Sequence, residues 1–173
     1  YLLMIKMNDL IEMLKKKEVP YTKHEHEALF SVEDSKGKRG AIEGAHTKNL
    51  FLKNKKNYFC LFSCEEKSLV NLKSFSKSTG AANLSFAKKE YLKKYMGIEP
   101  GSVSPYGLLN DIDNVVEFFL EEELYESDKL NFHPLINTAT VTTKTSDFID
   151  FMVENKKKIT IFSLKDNEIK KVI

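Results

Sequence analysis

Cysteine is scarce in this sequence: Cys60 and Cys64 are the only two in 173 residues. Two thiols alone complete neither a zinc set nor a multi-bridge disulfide framework. Their spacing puts both on one face of a strand, where small buried thiols are common, and a reducing cytoplasmic setting is the expectation. Arginine is scarcer still, with Arg39 alone among 27 basic residues. Lysines meet phosphates as point charges, but a surface this poor in guanidinium lacks bidentate readers of bases. No apolar run approaches the roughly 20 residues of a membrane helix. Tyr1–Ile5 is apolar but too short for a secretion signal, and no small-residue cleavage site follows it. A net charge of +2 places no overall demand for a polyanionic partner. No internal repeat or low-complexity linker interrupts the chain, and its length suits one domain, residues 1–173, around one sizeable core. Neither a Ser/His/Asp nor a Cys/His set is evident, so an acyl-enzyme intermediate is not expected.

What is present is an interleaving of helix and strand patterns. Asn8 or Asp9 can cap a helix running to about Lys17, with Leu10, Ile11, Met13 and Leu14 as its apolar stripe and Pro20 as its stop. Tyr21–His24 reads as a short strand, and Ser31 as the cap of a second, short helix. Thr47–Lys53 and Tyr58–Ser63 read as an antiparallel pair joined by the polar turn 54–57. Helices are expected over Leu69–Ser78 and Ala87–Met96, closed by Gly80 and Gly97, with a short strand at Leu84–Phe86 between them. Val115–Leu120 is strongly β, and Glu121–Glu123 reads as solvated. Leu130–Phe132 and Thr138–Thr143 are strands, Ser146 caps a helix over Asp147–Glu154, and Ile159–Leu164 is the final strand. Several connections are hairpin-short. That predicts a mixed α/β class: a mixed β-sheet with helices packed around it.

The chemistry concentrates at Leu130–Val141, which places His133, Pro134 and Asn137 within five residues at the mouth of a strand. Lys48 shares the parity of Leu50 and Leu52, and an ammonium on the inward face of a strand is costly without a partner. The segment 100–107 is rich in glycine, proline and serine, which allows close backbone approach to a ligand and few alternative conformations. His24 and His26 share a strand face beside Glu25 and Glu27, but no further ligand group is signalled, so a metal is not expected. Lysines cluster at Lys48, Lys53, Lys55 and Lys56 and again at Lys88, Lys89, Lys93 and Lys94. Such clusters serve equally as phosphate contacts or as solvated faces.

Three features occur together in order: Lys48 on its strand, Gly101-x-x-x-Pro105 followed by Gly107-Leu108-Leu109-Asn110-Asp111, and Asn131-Phe132-His133-Pro134-Leu135-x-Asn137-Thr138-Ala139-Thr140. This combination resembles the YbaK/prolyl-tRNA-synthetase-associated domain family over about Asn8 to Leu164. It is most similar to the branch that hydrolyses alanine from mischarged tRNA(Pro). The resemblance implies that domain's mixed fold and an aminoacyl-tRNA deacylase that needs no cofactor or metal. The implied partners are the acceptor end of tRNA(Pro) and prolyl-tRNA synthetase, fused or in trans; a first residue that is not Met leaves the fused form open. It further implies that Lys48 is the essential lysine and that His133 contacts the substrate end. Gly101, Ser102, Val103, Ser104 and Pro105 would line the aminoacyl site, Asn137 would support it, and Phe30 and His26 would stand near the pocket wall. The rival expectations are a catalytically silent tRNA- or synthetase-binding module, a deacylase for another small residue such as cysteine, and a metal hydrolase built on His24, His26 and His133.

Overall fold

A computed structural model describes residues 3–29 and 42–173. The helix expected at Ser31 lies outside the described residues. Among them, nine strands form one sheet: β1 (Tyr21–Glu25), β2 (Ala45–Lys53), β3 (Phe59–Glu65), β4 (Ser85–Phe86), β5 (Val116–Glu121), β6 (Lys129–Phe132), β7 (Ala139–Lys144), β8 (Ile159–Ser163) and β9 (Glu168–Val172). Their order is β1-β7-β6-β2-β3-β5-β8-β9, with β4 paired to β2. β2/β6, β3/β5 and β5/β8 are parallel, and the remaining pairs are antiparallel. The sheet is therefore mixed, as the short connections imply. Five α-helices, α1 (Met7–Lys16), α2 (Leu72–Thr79), α3 (Lys89–Met96), α4 (Glu122–Tyr125) and α5 (Thr145–Glu154), and a 3-10 helix at Pro105–Asn110 pack around it.

The two faces of the sheet differ. One carries the larger core, where Phe51, Phe59, Leu61, Phe118, Leu120, Leu130, Phe132 and Val141 meet Leu10 and Leu14 of α1, Leu92 and Met96 of α3, and Phe148 and Phe151 of α5. The other carries a smaller cluster, in which Leu52, Cys60, Phe62, Cys64, Phe119 and Phe162 are covered by Phe75 of α2. The Phe75 ring lies 4.6 Å from Phe62, 4.9 Å from Phe162 and 5.3 Å from Phe119. This apolar cover stops at Cys64 and its cross-strand partner Lys48. Beyond that line the same face becomes polar. Residues paired across strands share a face, so the registers His46↔Asn131, Asn131↔Thr142 and Thr140↔His24 carry a polar strip from β2 through β6 and β7 to β1.

Some boundaries differ from the sequence reading. Lys6, not Asn8 or Asp9, takes the α1 N-cap position, and Asp9 instead accepts a hydrogen bond from the Lys6 N–H at 2.9 Å. The helix expected from Leu69 begins at Leu72, capped by Asn71 Oδ1, while Leu69 is 92% exposed. Ser146 lies inside α5, whose N-cap is Lys144. Glu122–Tyr125 turns out to be a short helix, and the β9 hairpin after β8 was not anticipated: all its residues are exposed, so it has no buried face to impose a period on the sequence. Glu121, expected to be solvated, is buried at the end of β5 because its carboxylate accepts from the Glu65 N–H at 2.6 Å and the Ser68 hydroxyl at 3.0 Å.

Candidate functional site

β6 ends in Phe132, whose ring packs 5.0 Å from Phe148 and 6.1 Å from Tyr106 in the larger core. The chain then leaves the sheet, bends through Leu135 at φ +68, and re-enters as β7. His133 sits at that exit, fixed by a 3.0 Å bond between its Nδ1 and the carbonyl of Ala139. A carbonyl only accepts, so Nδ1 carries the proton, and in the neutral ring Nε2 keeps its lone pair. Burial holds the His133 pKa below its ordinary value; the Ala139 bond opposes the shift and nearby His26 adds to it. The ring is therefore neutral at neutral pH, the form that can accept a proton.

His26 meets His133 edge to face, with centroids 6.1 Å apart. Its Nδ1 donates to the Glu27 carbonyl at 2.8 Å, so in the neutral ring its Nε2 accepts from the Thr140 hydroxyl, also at 2.8 Å. Asn137 binds the backbone of Leu29 twice: its Nδ2 donates to the Leu29 carbonyl at 3.3 Å, and its carbonyl accepts from the Leu29 N–H at 3.1 Å. Leu29, His46, Thr47, Asn131, Phe132, His133 and Thr140 line a cavity of about 30 Å³. That is room for about one or two waters, or a group of methyl size.

Lys48 lies on the same face of β2 as His46, half-buried, with its ammonium donating to the carbonyl of Ser68. It is directly paired with Cys64, whose thiol is pushed up to about 12 by burial first, with Glu121 adding to the shift and Lys48 opposing it. Lys48 thus borders the cavity along the strand rather than lining it.

Gly101, Ser102, Val103, Ser104 and Pro105 occupy a different position. Gly101 turns at φ +91, the Ser102 N–H is held by the Glu99 carbonyl at 3.1 Å, and Val103 packs on the larger core. Ser104 and Pro105 are buried, and Pro105 opens the 3-10 helix. This loop joins the His133 segment through the contact of Tyr106 with Phe132.

The structure therefore brings His26 and His133 together directly, with Asn137 behind the Leu29 wall. Lys48 adjoins them on the polar strip, and the 101–105 loop braces from the core. Phe30 lies outside the described residues. Leu29, His46, Thr47, Asn131, Phe132 and Thr140 are cavity residues that sequence reasoning did not assign to the site. The parity of His46 with Lys48 was the available signal for one of them. Among the described residues no group of three or more His, Cys, Asp or Glu side chains is arranged to hold a metal, and no helix is long and apolar enough to cross a membrane.

Residues 26–151 match the model of the aminoacyl-tRNA editing domain. The chain is 31% identical over 157 residues to prolyl-tRNA synthetase associated domain-containing protein 1 of Danio rerio, covering 90% of this chain and 85% of that one. It is 32% identical over 143 residues to the prolyl-tRNA editing protein ProX of Acetoanaerobium sticklandii, covering 80% and 85%. A crystal structure presented as that of a candidate trans-editing enzyme for prolyl tRNA synthetase superposes with a TM-score of 0.66 at 16% identity, over 98% of this chain and 99% of that one. The matched span holds His26, Lys48, His133 and Thr140, and the chain belongs to the aminoacyl-tRNA editing domain family.

Proposed function

We propose that this chain is an aminoacyl-tRNA deacylase that hydrolyses the ester between alanine and the terminal adenosine of tRNA(Pro). The observation that carries the reading is His133: a half-buried neutral imidazole, oriented by the Ala139 carbonyl, in a methyl-sized cavity on the strip that Lys48 borders. Water adds to the ester carbonyl, the bond to the ribose oxygen breaks, and alanine leaves a free hydroxyl on the tRNA. His133 Nε2 positions the water and can take its proton. A vicinal ribose hydroxyl shares that work, as the family resemblance suggests. The Lys48 ammonium leaves the Ser68 carbonyl to hold a phosphate or the developing oxyanion, fixing orientation by charge. Gly101 to Pro105 hold Tyr106 against Phe132 and so keep the His133 segment in place. The proton balance closes without an acyl-enzyme, a metal or a cofactor.

Size explains why such an activity has a use. A synthetase site built for proline admits smaller residues, whereas a cavity sized for a methyl rejects the proline ring by overpacking. The partners in this reading are the acceptor end of tRNA(Pro) and prolyl-tRNA synthetase, joined or in trans. The test is hydrolysis of alanine, cysteine, serine and proline esters of tRNA(Pro) by the purified chain. Alanine should be released fastest and proline spared. A panel led by cysteine would move the substrate to that residue, and tRNA binding without release of any ester would leave a binding module.

A further inference from the structure

We propose that Glu121 is a positioning residue for Lys48, acting through Ser68. The inference rests on the reading above in so far as Lys48 acts on substrate, but the geometry stands by itself. Lys48 donates its ammonium to the carbonyl of Ser68. That carbonyl is set by the turn after β3, in which the Ser68 N–H closes on the Glu65 carbonyl at 3.0 Å. Glu121 clasps both ends of the same turn, accepting from the Glu65 N–H at 2.6 Å and from the Ser68 hydroxyl at 3.0 Å. β5 carries Glu121 to this point because Leu120 pairs with Ser63 and Glu121 with Phe162. Lys48, on the far side of β3, comes to it through its own pairing with Cys64. Both charges act on the Cys64 thiol between them, with opposite sign.

Glu121 is only 4% exposed, and burial raises its pKa, partly offset by the Glu65 and Ser68 bonds and reinforced by the charges of Glu123 and Glu65. A carboxylate kept here costs stability in its charged form. Closing the turn alone does not require a charge, since a carboxamide oxygen can accept the same bonds. What the charge adds is an anion behind the carbonyl that anchors a half-buried ammonium. It keeps the Lys48 ammonium parked at the border of the cavity, from which the flexible side chain can swing to an anionic substrate.

The test compares the full chain with Glu121→Gln, Ser68→Ala and, as a charge control on an exposed neighbour, Glu123→Gln. The first readout needs no substrate: the anchoring of the Lys48 ammonium at the Ser68 carbonyl, followed by the NMR signal of its ε-methylene. The second is multiple-turnover deacylation of Ala-tRNA(Pro), resolved into kcat and KM. Glu121→Gln should move the ε-methylene signal towards that of a free, averaging lysine and reduce kcat by roughly tenfold or more with KM little changed. Ser68→Ala should do the same to a lesser degree, and Glu123→Gln should do neither. If Glu121→Gln fails to fold, Ser68→Ala, which keeps the carbonyl and breaks only the link to the carboxylate, decides the matter. An ε-methylene signal and a kcat unmoved in the folded variants would overturn the proposal. A wild-type chain that does not deacylate would instead overturn the proposed function, while the ε-methylene signal still decides whether Glu121 sets Lys48.

Discussion

The rings of His26 and His133 stand edge to face with centroids 6.1 Å apart, each tied through Nδ1 to a backbone carbonyl. One comes from the end of β1 and the other from the exit of β6, 107 positions apart in the numbering. Burial favours a neutral His133, and the nearness of His26 adds to the cost of a positive charge there.

The pH dependence follows from that shift. Activity that needs neutral His133 falls on the acid side with a midpoint below the ordinary histidine value of 6.5. The native pKa is lower than the unfolded one, so the unfolded chain binds the proton first. Stability should therefore decline as pH drops from about 6.5 towards the native midpoint, and the loss is complete below it. Melting temperature followed against pH should show a shallower acid decline in His133→Gln than in the wild type. Identical slopes would contradict the half-buried neutral ring.

Asn131→Asp tests the polar strip at the start of β2. Asn131 Nδ2 donates to the Glu43 carbonyl at 2.8 Å and the Ala45 carbonyl at 3.1 Å, while its Oδ1 accepts from the Thr142 hydroxyl at 2.5 Å. Asp keeps the shape and the acceptor but turns an oxygen on two carbonyls. The expected loss is about 1–3 kcal/mol, read by denaturant unfolding. An unchanged midpoint would mean that Asn131 does not fix the 43–45 turn.

Phe75→Ala tests the smaller core. Three rings contact Phe75, and α2 covers the sheet through it. A loss of about 3–5 kcal/mol is expected, without change in the His133 titration, because the ring packs at the far end of the face.

Much of this was legible in the sequence where a period or a cap imposes itself. The β2/β3 hairpin, the glycine-closed helices α2 and α3, and the parity of Lys48 with Leu50 and Leu52 all follow from local rules. The order of nine strands does not, because pairing such as β2 with β6 joins residues more than eighty positions apart. Glu121 shows the limit most clearly: three consecutive glutamates read as a solvated run, yet the first is claimed by a turn at Glu65–Ser68 that only the β3/β5 pairing brings near. The 101–105 loop shows another: its composition predicts a fixed backbone, but not that it braces the core side of the sheet.

The most direct test of the account is single-turnover hydrolysis of Ala-tRNA(Pro) by the wild-type chain and by Lys48→Ala. Circular dichroism and melting are checked alongside. The account predicts release of alanine by the wild type and a loss of roughly a hundredfold or more in a variant that remains folded. Full activity in folded Lys48→Ala, or no release by the wild type at any enzyme concentration, would contradict it.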